Sequence, residues 1–443
     1  MLGKNLYNSI LKKQLIKKLK NTNPDQKDVL KKGFYFLIFR GIGIIAGYLF
    51  TLYITNVFGA KVNGLISLSF SVFMFASIIG RLGIDVNFLR FYAKPENWKK
   101  DPGLFYRVVS KSFLVSLVLM GVLLWAQDFF ILHIFKKDQL APYYFWSVLG
   151  IPFWTVTMLC AGALRAKGLN NWFAFFNNTG RFLLTILLLA VVYLFYTVAP
   201  VMLIQIHFWA LVVLALIAFW VVSRELNQLT LKSGTNSWRF LRESFPMLLS
   251  STIMVFLGWL DTFILGIYET DENIGIYNAA LKLALVTNFS IEAINSSLAP
   301  KIASAFAEQA HEKFKGLVKF STRINFVATA GIVAVLLIFN QFFLGIFGEE
   351  FLVGKYVLII LCSIHLLNST TGSVGIIMQM IGRQKQYQNI ALIALGLNLI
   401  LNFALIPLYG IEGAAAATAI SLSFWNIAGT VYLKRKENIR TYL

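Results

Sequence analysis

The sequence predicts an all-α integral membrane protein with 12 transmembrane helices in two six-helix lobes, which form a parallel repeat. Three observations lead to this fold class: the composition, the number of apolar stretches and the placement of the basic residues. Hydrophobic residues make up 58% of the 443 residues, charged residues make up 14%, and the mean hydropathy is +0.69. Soluble domains usually have about 25% charged and under about 50% apolar residues, so this composition indicates a membrane protein.

Twelve apolar stretches reach the length that a membrane-spanning helix needs, which is about 20 residues. Prolines fall mostly near their ends, where a helix tolerates a break. The predicted spans are 33–57, 62–90, 108–127, 142–164, 172–197 and 200–222 in the first half, and 244–268, 273–300, 321–347, 354–381, 387–407 and 411–433 in the second.

The basic residues lie mostly on one side of these spans. With the N-terminus in the cytoplasm, 32 of the 40 Lys and Arg residues fall on the cytoplasmic side, four fall on the other side and four lie inside spans. This asymmetry follows the positive-inside rule and predicts that both termini are cytoplasmic. The net charge of +20 therefore reflects topology, and we expect no nucleic-acid partner.

The first 32 residues form a basic segment before the first span. They contain no apolar core that would indicate a signal peptide. Leu6, Ile10 and Leu19 alternate with lysines at roughly helical spacing. The segment could therefore be an amphipathic helix that binds anionic lipids of the inner leaflet, or a flexible tail that only sets the topology.

The two halves of the chain are weakly alike at a common offset. Asn63-Gly64-Leu65 corresponds to Ile274-Gly275-Ile276, and the basic turn at 165–174 corresponds to the one at 380–389. Each half has an even number of spans, so both halves enter the membrane from the same side. The predicted organisation is a basic segment 1–32, a lobe 33–222, a cytoplasmic linker 223–243, a lobe 244–433 and a cytoplasmic tail 434–443.

Seven charged residues lie inside the spans, where isolated charges are expensive and by default mark a transport pathway. Four are cations and three are acids, so the interior favours an anionic ligand such as a diphosphate. We expect the cations to line a substrate cavity and the acids to serve in coupling or structural pairing. The cations are Lys282, Arg181, Arg40 and Arg81, and the acids are Asp261, Glu292 and Asp85.

Structural alternatives remain open for most of these charges. Lys282 and Asp261 lie at similar predicted depths on neighbouring spans and could form an ion pair. Arg40 is near a helix end and could extend its side chain to the interface. Arg81 and Asp85 are spaced i, i+4 and could pair with each other.

The eighth span carries further polar residues among its apolar ones. If it is one continuous helix, Asn278, Asn288 and Asn295 lie on the same side as Lys282 and Glu292. The sequence therefore predicts one polar face along this span, directed at the cavity. Nothing indicates a metal or cofactor, because Cys160 and Cys362 sit in apolar runs without metal-ligand spacing.

Several motifs resemble the polysaccharide and O-antigen flippases of the Wzx type, within the multidrug/oligosaccharidyl-lipid/polysaccharide exporter superfamily. They are Phe58-Gly59-Ala60, Asn63-Gly64, LGIDVNFLRFYA at 82–93, WLDTFILG at 259–266, IGIYNAALKL at 274–283 and YGIEGAAAATA at 409–419.

The resemblance implies a bacterial inner-membrane flippase that works by alternating access. Its substrate would be an undecaprenyl-diphosphate-linked oligosaccharide, moved from the cytoplasmic to the outer leaflet with or without other polysaccharide assembly proteins. A cation-coupled drug exporter of the same superfamily is an alternative, although Asp85 is the only acid within a first-half span. A membrane polymerase or glycosyltransferase is a third class, which the short outer loops disfavour. No catalytic residue is predicted.

Overall fold

A computed structural model describes residues 24–92 and 95–442, and within these ranges the chain is helical without any strand. The predicted amphipathic stretch of the first 20 residues lies outside the described residues. The long apolar helices confirm the predicted all-α membrane architecture. Such helices suit a bilayer because they satisfy their backbone polar groups internally.

The described residues of the first half form nine α-helices. They are α1 (Pro24–Gly80), α2 (Ile84–Phe91), α3 (Pro95–Lys100), α4 (Pro102–Trp125), α5 (Ala141–Leu149), α6 (Ile151–Ala166), α7 (Asn170–Ala174), α8 (Gly180–Phe195) and α9 (Pro200–Leu226). A π-helical turn, Phe129–Phe135, and a short 3-10 turn, Asp138–Leu140, precede α5, and a second π-helical turn, Phe175–Thr179, joins α7 to α8.

Up to residue 442, the second half forms eight α-helices. They are α10 (Ser237–Tyr268), α11 (Asp271–Leu285), α12 (Asn288–Ala307), α13 (His311–Ile338), α14 (Asn340–Gly345), α15 (Lys355–Thr371), α16 (Val374–Met380) and α17 (Gln384–Lys436). Residues 227–236 between the halves are not helical, so the irregular stretch is shorter than the linker predicted at 223–243.

Helix α1 is a hairpin that reverses at Gly59. In a straight helix, Phe50 and Phe70 would lie about 30 Å apart. Both rings instead contact the same His207 ring of α9, with centroid distances of 6.2 and 4.9 Å. Gly59 makes the reversal possible because it adopts φ 79°, a conformation that other residues rarely reach.

Helix α17 reverses in the same way at Gly410, whose φ is 56°. The Asn398 amide before the bend donates to the Ser421 hydroxyl after it, at 3.1 Å, although a straight helix would separate them by about 34 Å. The hairpins fall where the sequence predicts the turns between spans 1 and 2 and between spans 11 and 12.

Within the described ranges, nine helical segments are long and apolar enough to cross a membrane, and two of these are the hairpins. The segment α11–α12 is not among the nine, because it is more polar and broken. A bundle of membrane-spanning helices is therefore established, and the count of 12 stays a prediction.

The two halves of the chain contact each other at both ends of the bundle. At one end, the Asn63 amide donates to the Gly275 carbonyl at 2.8 Å, and Lys137 pairs with Asp271 at 3.1 Å. At the other end, the Asn87 amide donates to the Ser244 hydroxyl at 2.9 Å. Residues of both halves also line a shared cavity.

Candidate functional site

The cavity lies between the first arm of α1, the start of α8 and the junction of α11 with α12, and it has a volume of about 590 Å³. Most of its lining is apolar, as in ligand pockets generally, with a few polar groups that can orient a ligand. The polar side chains of the lining are Arg40, Tyr48, Asn178, Lys282, Asn288 and Glu292. Three of the seven charges that the sequence places inside the membrane therefore meet here.

Lys282 joins the two halves of the chain. Its ammonium group donates to the Thr51 hydroxyl of α1, and the Tyr48 hydroxyl of α1 donates to the Lys282 carbonyl. In the described part of the chain, no acid pairs with Lys282. An ammonium has three donors, so it can bind an anion in the cavity while it keeps the bond to Thr51.

Arg40 and Glu292 form an ion pair across the same cavity. The Arg40 side chain is 29% exposed and the Glu292 side chain is 37% exposed, so both are accessible from the cavity. Arg40 thus lies in the cavity rather than extending to the interface. Because one member comes from α1 and the other from α12, the pair is a second link between the halves.

Arg181 lies behind the cavity wall, although the sequence placed it among the lining cations. The neighbouring residue Phe182 lines the cavity, whereas Arg181 is only 4% exposed. Its Nε donates to His207 at 3.0 Å. Four aromatic rings surround its guanidinium at 4.5 to 5.5 Å, those of Phe70, Phe73, Trp154 and Phe182. Cation–π contacts of this kind stabilise a desolvated cation without an acid.

Arg81 and Asp85 pair with each other, with a separation of 3.8 Å, and they do not line the cavity. The pair bridges a break in the second span, since α1 ends at Gly80 and α2 begins at Ile84. This arrangement agrees with the structural alternative, in which the two charges neutralise each other locally.

Asp261 is 5% exposed and sits in a cage of neutral donors. Its Oδ1 accepts from the amide of Asn402 at 2.8 Å and from that of Asn398 at 3.4 Å. Its Oδ2 accepts from the hydroxyl of Tyr277 at 2.7 Å and from that of Thr418. The predicted alternative of an Asp261–Lys282 ion pair is therefore wrong, because each residue is bonded to a different set of partners.

The prediction of one continuous polar face along the eighth span is also wrong. Helix α11 ends at Leu285 and α12 begins at Asn288, so the helical phase changes between them. Asn288 lines the cavity, whereas Asn278 is buried and accepts a hydrogen bond from the Thr262 hydroxyl of α10 at 3.1 Å. Asn295 lies farther along α12, outside the lining.

Two further compartments adjoin the cavity, and sequence reasoning missed both. One, of about 170 Å³, is lined by the side chains of Asn288, Asn325, Asn368, Asn426 and Trp425, among others. The other, of about 460 Å³, is apolar. Their residues come from helices that are distant in sequence, so no local sequence pattern predicts either compartment.

The described helices form a membrane-type bundle with a charged, ligand-sized cavity, an arrangement typical of transporters. Solved structures with the same fold are known. The lipid II flippase MurJ in an inward closed conformation superposes with a TM-score of 0.72 at 14% identity, over 90% of this chain and 87% of that one. An inward-facing MATE family multidrug transporter of the MOP superfamily gives a TM-score of 0.70 at 15% identity, over 90% and 97% of the two chains. At these identities the likeness establishes the fold.

Comparison of sequences identifies the family. The model of the polysaccharide biosynthesis protein family matches residues 29–306, so the chain belongs to that family. It is also similar to a probable low-salt glycan biosynthesis flippase, Agl15, from Haloferax volcanii, with 28% identity over 222 residues. That alignment covers 50% of this chain and 47% of the relative, which is about half of each.

Proposed function

We propose that this protein is a flippase for a lipid-diphosphate-linked oligosaccharide in surface polysaccharide biosynthesis. In this proposal the carrier lipid is undecaprenol, and the glycan moves from the cytoplasmic to the outer leaflet of a bacterial inner membrane. Both termini lie in the cytoplasm. The names of the flippase relatives support the substrate class, and the asymmetry of the basic residues supports the direction.

The observation that carries the proposal is Lys282, which lines the cavity without an acid partner in the described part of the chain. A diphosphate can bind its ammonium group directly and can compete with Glu292 for Arg40. The buried charge of Arg181, next to the lining residue Phe182, adds to the positive potential. The cavity is therefore suited to an anion.

The mechanism that fits this arrangement is alternating access by two lobes of six helices each. Counting each hairpin as two helices and α11–α12 as one interrupted span gives 12 spans. We place the lobes at 33–222 and 244–433, so the cavity lies at their interface. The contacts at its two ends would then open in turn, as expected of a parallel repeat about a central site.

Asp261 supplies a site for coupling to an ion gradient. A buried carboxylate without a cation is costly, and binding a proton or a small monovalent cation would offset that cost. We expect Asp261→Asn to leave the protein folded and to remove any dependence of transport on a proton or sodium gradient. Gradient dependence that survives this substitution would exclude Asp261 from coupling.

A cation-coupled drug exporter remains the second candidate, because the MATE transporter shares the fold. The cavity argues against it, since its one acid, Glu292, is already paired with Arg40. A lipophilic cation would also meet Lys282, which repels it.

The experiment that tests the proposal is deletion of the gene in its host, followed by analysis of lipid-linked glycans in membrane vesicles of defined orientation. We expect a lipid-diphosphate-linked oligosaccharide to accumulate on the cytoplasmic face and to disappear on complementation. The same strain also tests whether other assembly proteins are required, and truncation of residues 1–32 tests binding to anionic lipids. Normal glycan distribution together with drug sensitivity would favour the exporter.

A further inference from the structure

We propose that three adjoining compartments bind the three chemical parts of the substrate: the polyisoprenoid chain, the diphosphate and the first sugar. This inference rests on the proposed function and names how its substrate is held. The compartments are the apolar groove of about 460 Å³, the cationic cavity of about 590 Å³ and the amide-lined cavity of about 170 Å³.

The compartments are adjacent, because neighbours share lining residues. Tyr48, Val286 and Ile332 line both the apolar groove and the cationic cavity. Asn288 lines both the cationic cavity and the amide-lined cavity. The proposal is that a single extended molecule occupies them in the order apolar, cationic, amide.

The apolar groove suits a hydrocarbon chain. Its lining comes from α1, the end of α11, α13 and α14, and apart from Tyr48 it consists of aliphatic and phenyl side chains and one glycine. The Tyr48 hydroxyl is already bonded to the Lys282 carbonyl, so no free donor of its lining faces the groove. A groove of this volume holds only part of a polyprenyl chain, and the rest would stay in the bilayer.

The amide-lined cavity suits a sugar ring. It contains four asparagines, two threonines, a serine and a histidine, together with Trp425, and it contains no acid. Planar amides match sugar hydroxyls as donors and acceptors, and an indole can pack against a sugar face. Asn325 is 1% exposed and its Nδ2 has no hydrogen-bond partner in the described residues, so a ligand hydroxyl would satisfy a buried donor.

The order along α13 gives the bound substrate a direction. Asn325 and Thr329 line the amide cavity, and Val335 and Leu336, farther along the helix, line the apolar groove. The sugar therefore lies nearer the end where α13 begins, which is the predicted cytoplasmic end. A lipid that is loaded from the cytoplasmic leaflet has this orientation, with its headgroup towards the cytoplasm and its chain towards the membrane centre.

The assignment of the polyisoprenoid chain to the apolar groove is tested with Gly331→Leu. Gly331 lines the groove, and a Cβ at this position would meet nothing within 4 Å, so leucine adds a bulky side chain at the groove wall without a clash at its Cβ. Gly121→Leu is the matched control, because Gly121 of α4 is also open and lies outside the groove. Leucine is a better helix former than glycine at both sites.

Binding of undecaprenyl diphosphate and of geranyl diphosphate is measured with the full-length protein in phosphatidylcholine nanodiscs. We expect the ratio of the two affinities to fall by about tenfold in Gly331→Leu and to stay unchanged in Gly121→Leu. An unchanged ratio in Gly331→Leu would mean that bilayer lipid, not the substrate chain, occupies the groove.

The sugar arm uses Asn368→Leu, because Asn368 lines the amide cavity and lies outside the cationic one. We expect the variant to bind undecaprenyl-diphosphate-linked N-acetylglucosamine about tenfold more weakly and sugar-free undecaprenyl diphosphate as well as the wild type does. Equal loss for both ligands, or no loss for either, would overturn the sugar assignment. If the wild type binds none of these diphosphates, the proposed function itself fails.

Discussion

Lys282 is held by the Thr51 hydroxyl within a cavity that offers it no carboxylate in the described part of the chain. This residue could be identified from the sequence, because a lysine inside an apolar span costs free energy and by default marks a functional site. The sequence could not identify its partner, since Thr51 lies 231 residues away on another helix.

Substitutions of Lys282 should separate charge from packing. Lys282→Arg should retain most of the transport, and Lys282→Ala should lower it by at least about tenfold, because a hydrogen bond to a charged group contributes about 1.5–3 kcal/mol. Transport and protein abundance are both measured, with Lys61→Ala as the control outside the cavity.

The double variant Asp261→Asn, Lys282→Gln tests whether the lysine is structural. Since the two residues do not pair, the double variant should transport no better than Lys282→Gln alone. Recovery of full transport would contradict this account and would show that Lys282 only neutralises Asp261.

The Arg40–Glu292 pair leads to a second prediction at the residue scale. Glu292→Gln removes the partner of Arg40, so Arg40 can bind a diphosphate without competition. Because a partly exposed ion pair contributes little stability, we expect the diphosphate to bind up to about fivefold more tightly and to be released more slowly. Arg40→Gln should weaken binding instead. Affinity for pyrophosphate and the rate of transport are the measurements. Restored transport in Arg40→Gln, Glu292→Gln would mean that the pair is only structural.

At the scale of helices, the sequence predicts most boundaries and misses the main irregularity. The turns at Gly59 and Gly410 could be predicted, because apolar stretches end on both sides of them. The break between α11 and α12 could not, since Val286 and Thr287 are ordinary residues in a membrane helix. The break puts Asn278 and Asn288 on separate helices, and only Asn288 lines the cavity.

The contact between α1 and α11 gives a prediction for the helices that join the halves at one end of the bundle. A Cβ at Gly275 would lie 2.0 Å from the Ala60 carbonyl oxygen, so only glycine allows this approach. Gly275→Ala should weaken the closed end by about 1–3 kcal/mol and shift the equilibrium towards opening there by roughly 5–150-fold.

Labelling of a cysteine at Val286, in a background without Cys160 and Cys362, measures that shift. An impermeant thiol reagent applied at the Gly275 end should react faster in Gly275→Ala than in the Gly121→Ala control. Equal rates would show that this contact does not limit access to the cavity.

At the scale of the whole molecule, composition predicts the membrane architecture, and the basic residues predict its orientation. What the sequence does not reveal is how distant helices meet, because Asp261 and its partner Thr418, or Arg40 and Glu292, come together only through tertiary packing. The seven predicted charges therefore divide into cavity and structural groups only when the helices are assembled.

The predicted orientation can be tested with single cysteines in a cysteine-free background. Cysteines at Lys61 and Lys355 should react with an impermeant reagent outside intact cells, and those at Lys232 and Lys313 should react only after permeabilisation, because the basic loops stay in the cytoplasm. The reverse pattern would overturn the orientation and the direction of transport.

The central claim is that the protein moves a diphosphate-linked glycan through its cationic cavity. The most direct measurement is flipping of a fluorescent lipid-diphosphate-linked oligosaccharide by the purified protein in phosphatidylcholine vesicles. An inside-negative potential should accelerate outward movement, since two negative charges gain about 5 kcal/mol per 100 mV. The account predicts flipping by the wild type and by Lys282→Arg, and only background flipping by Lys282→Ala. Flipping by the wild type that is no faster than in protein-free vesicles, or equal flipping by Lys282→Ala, would contradict it.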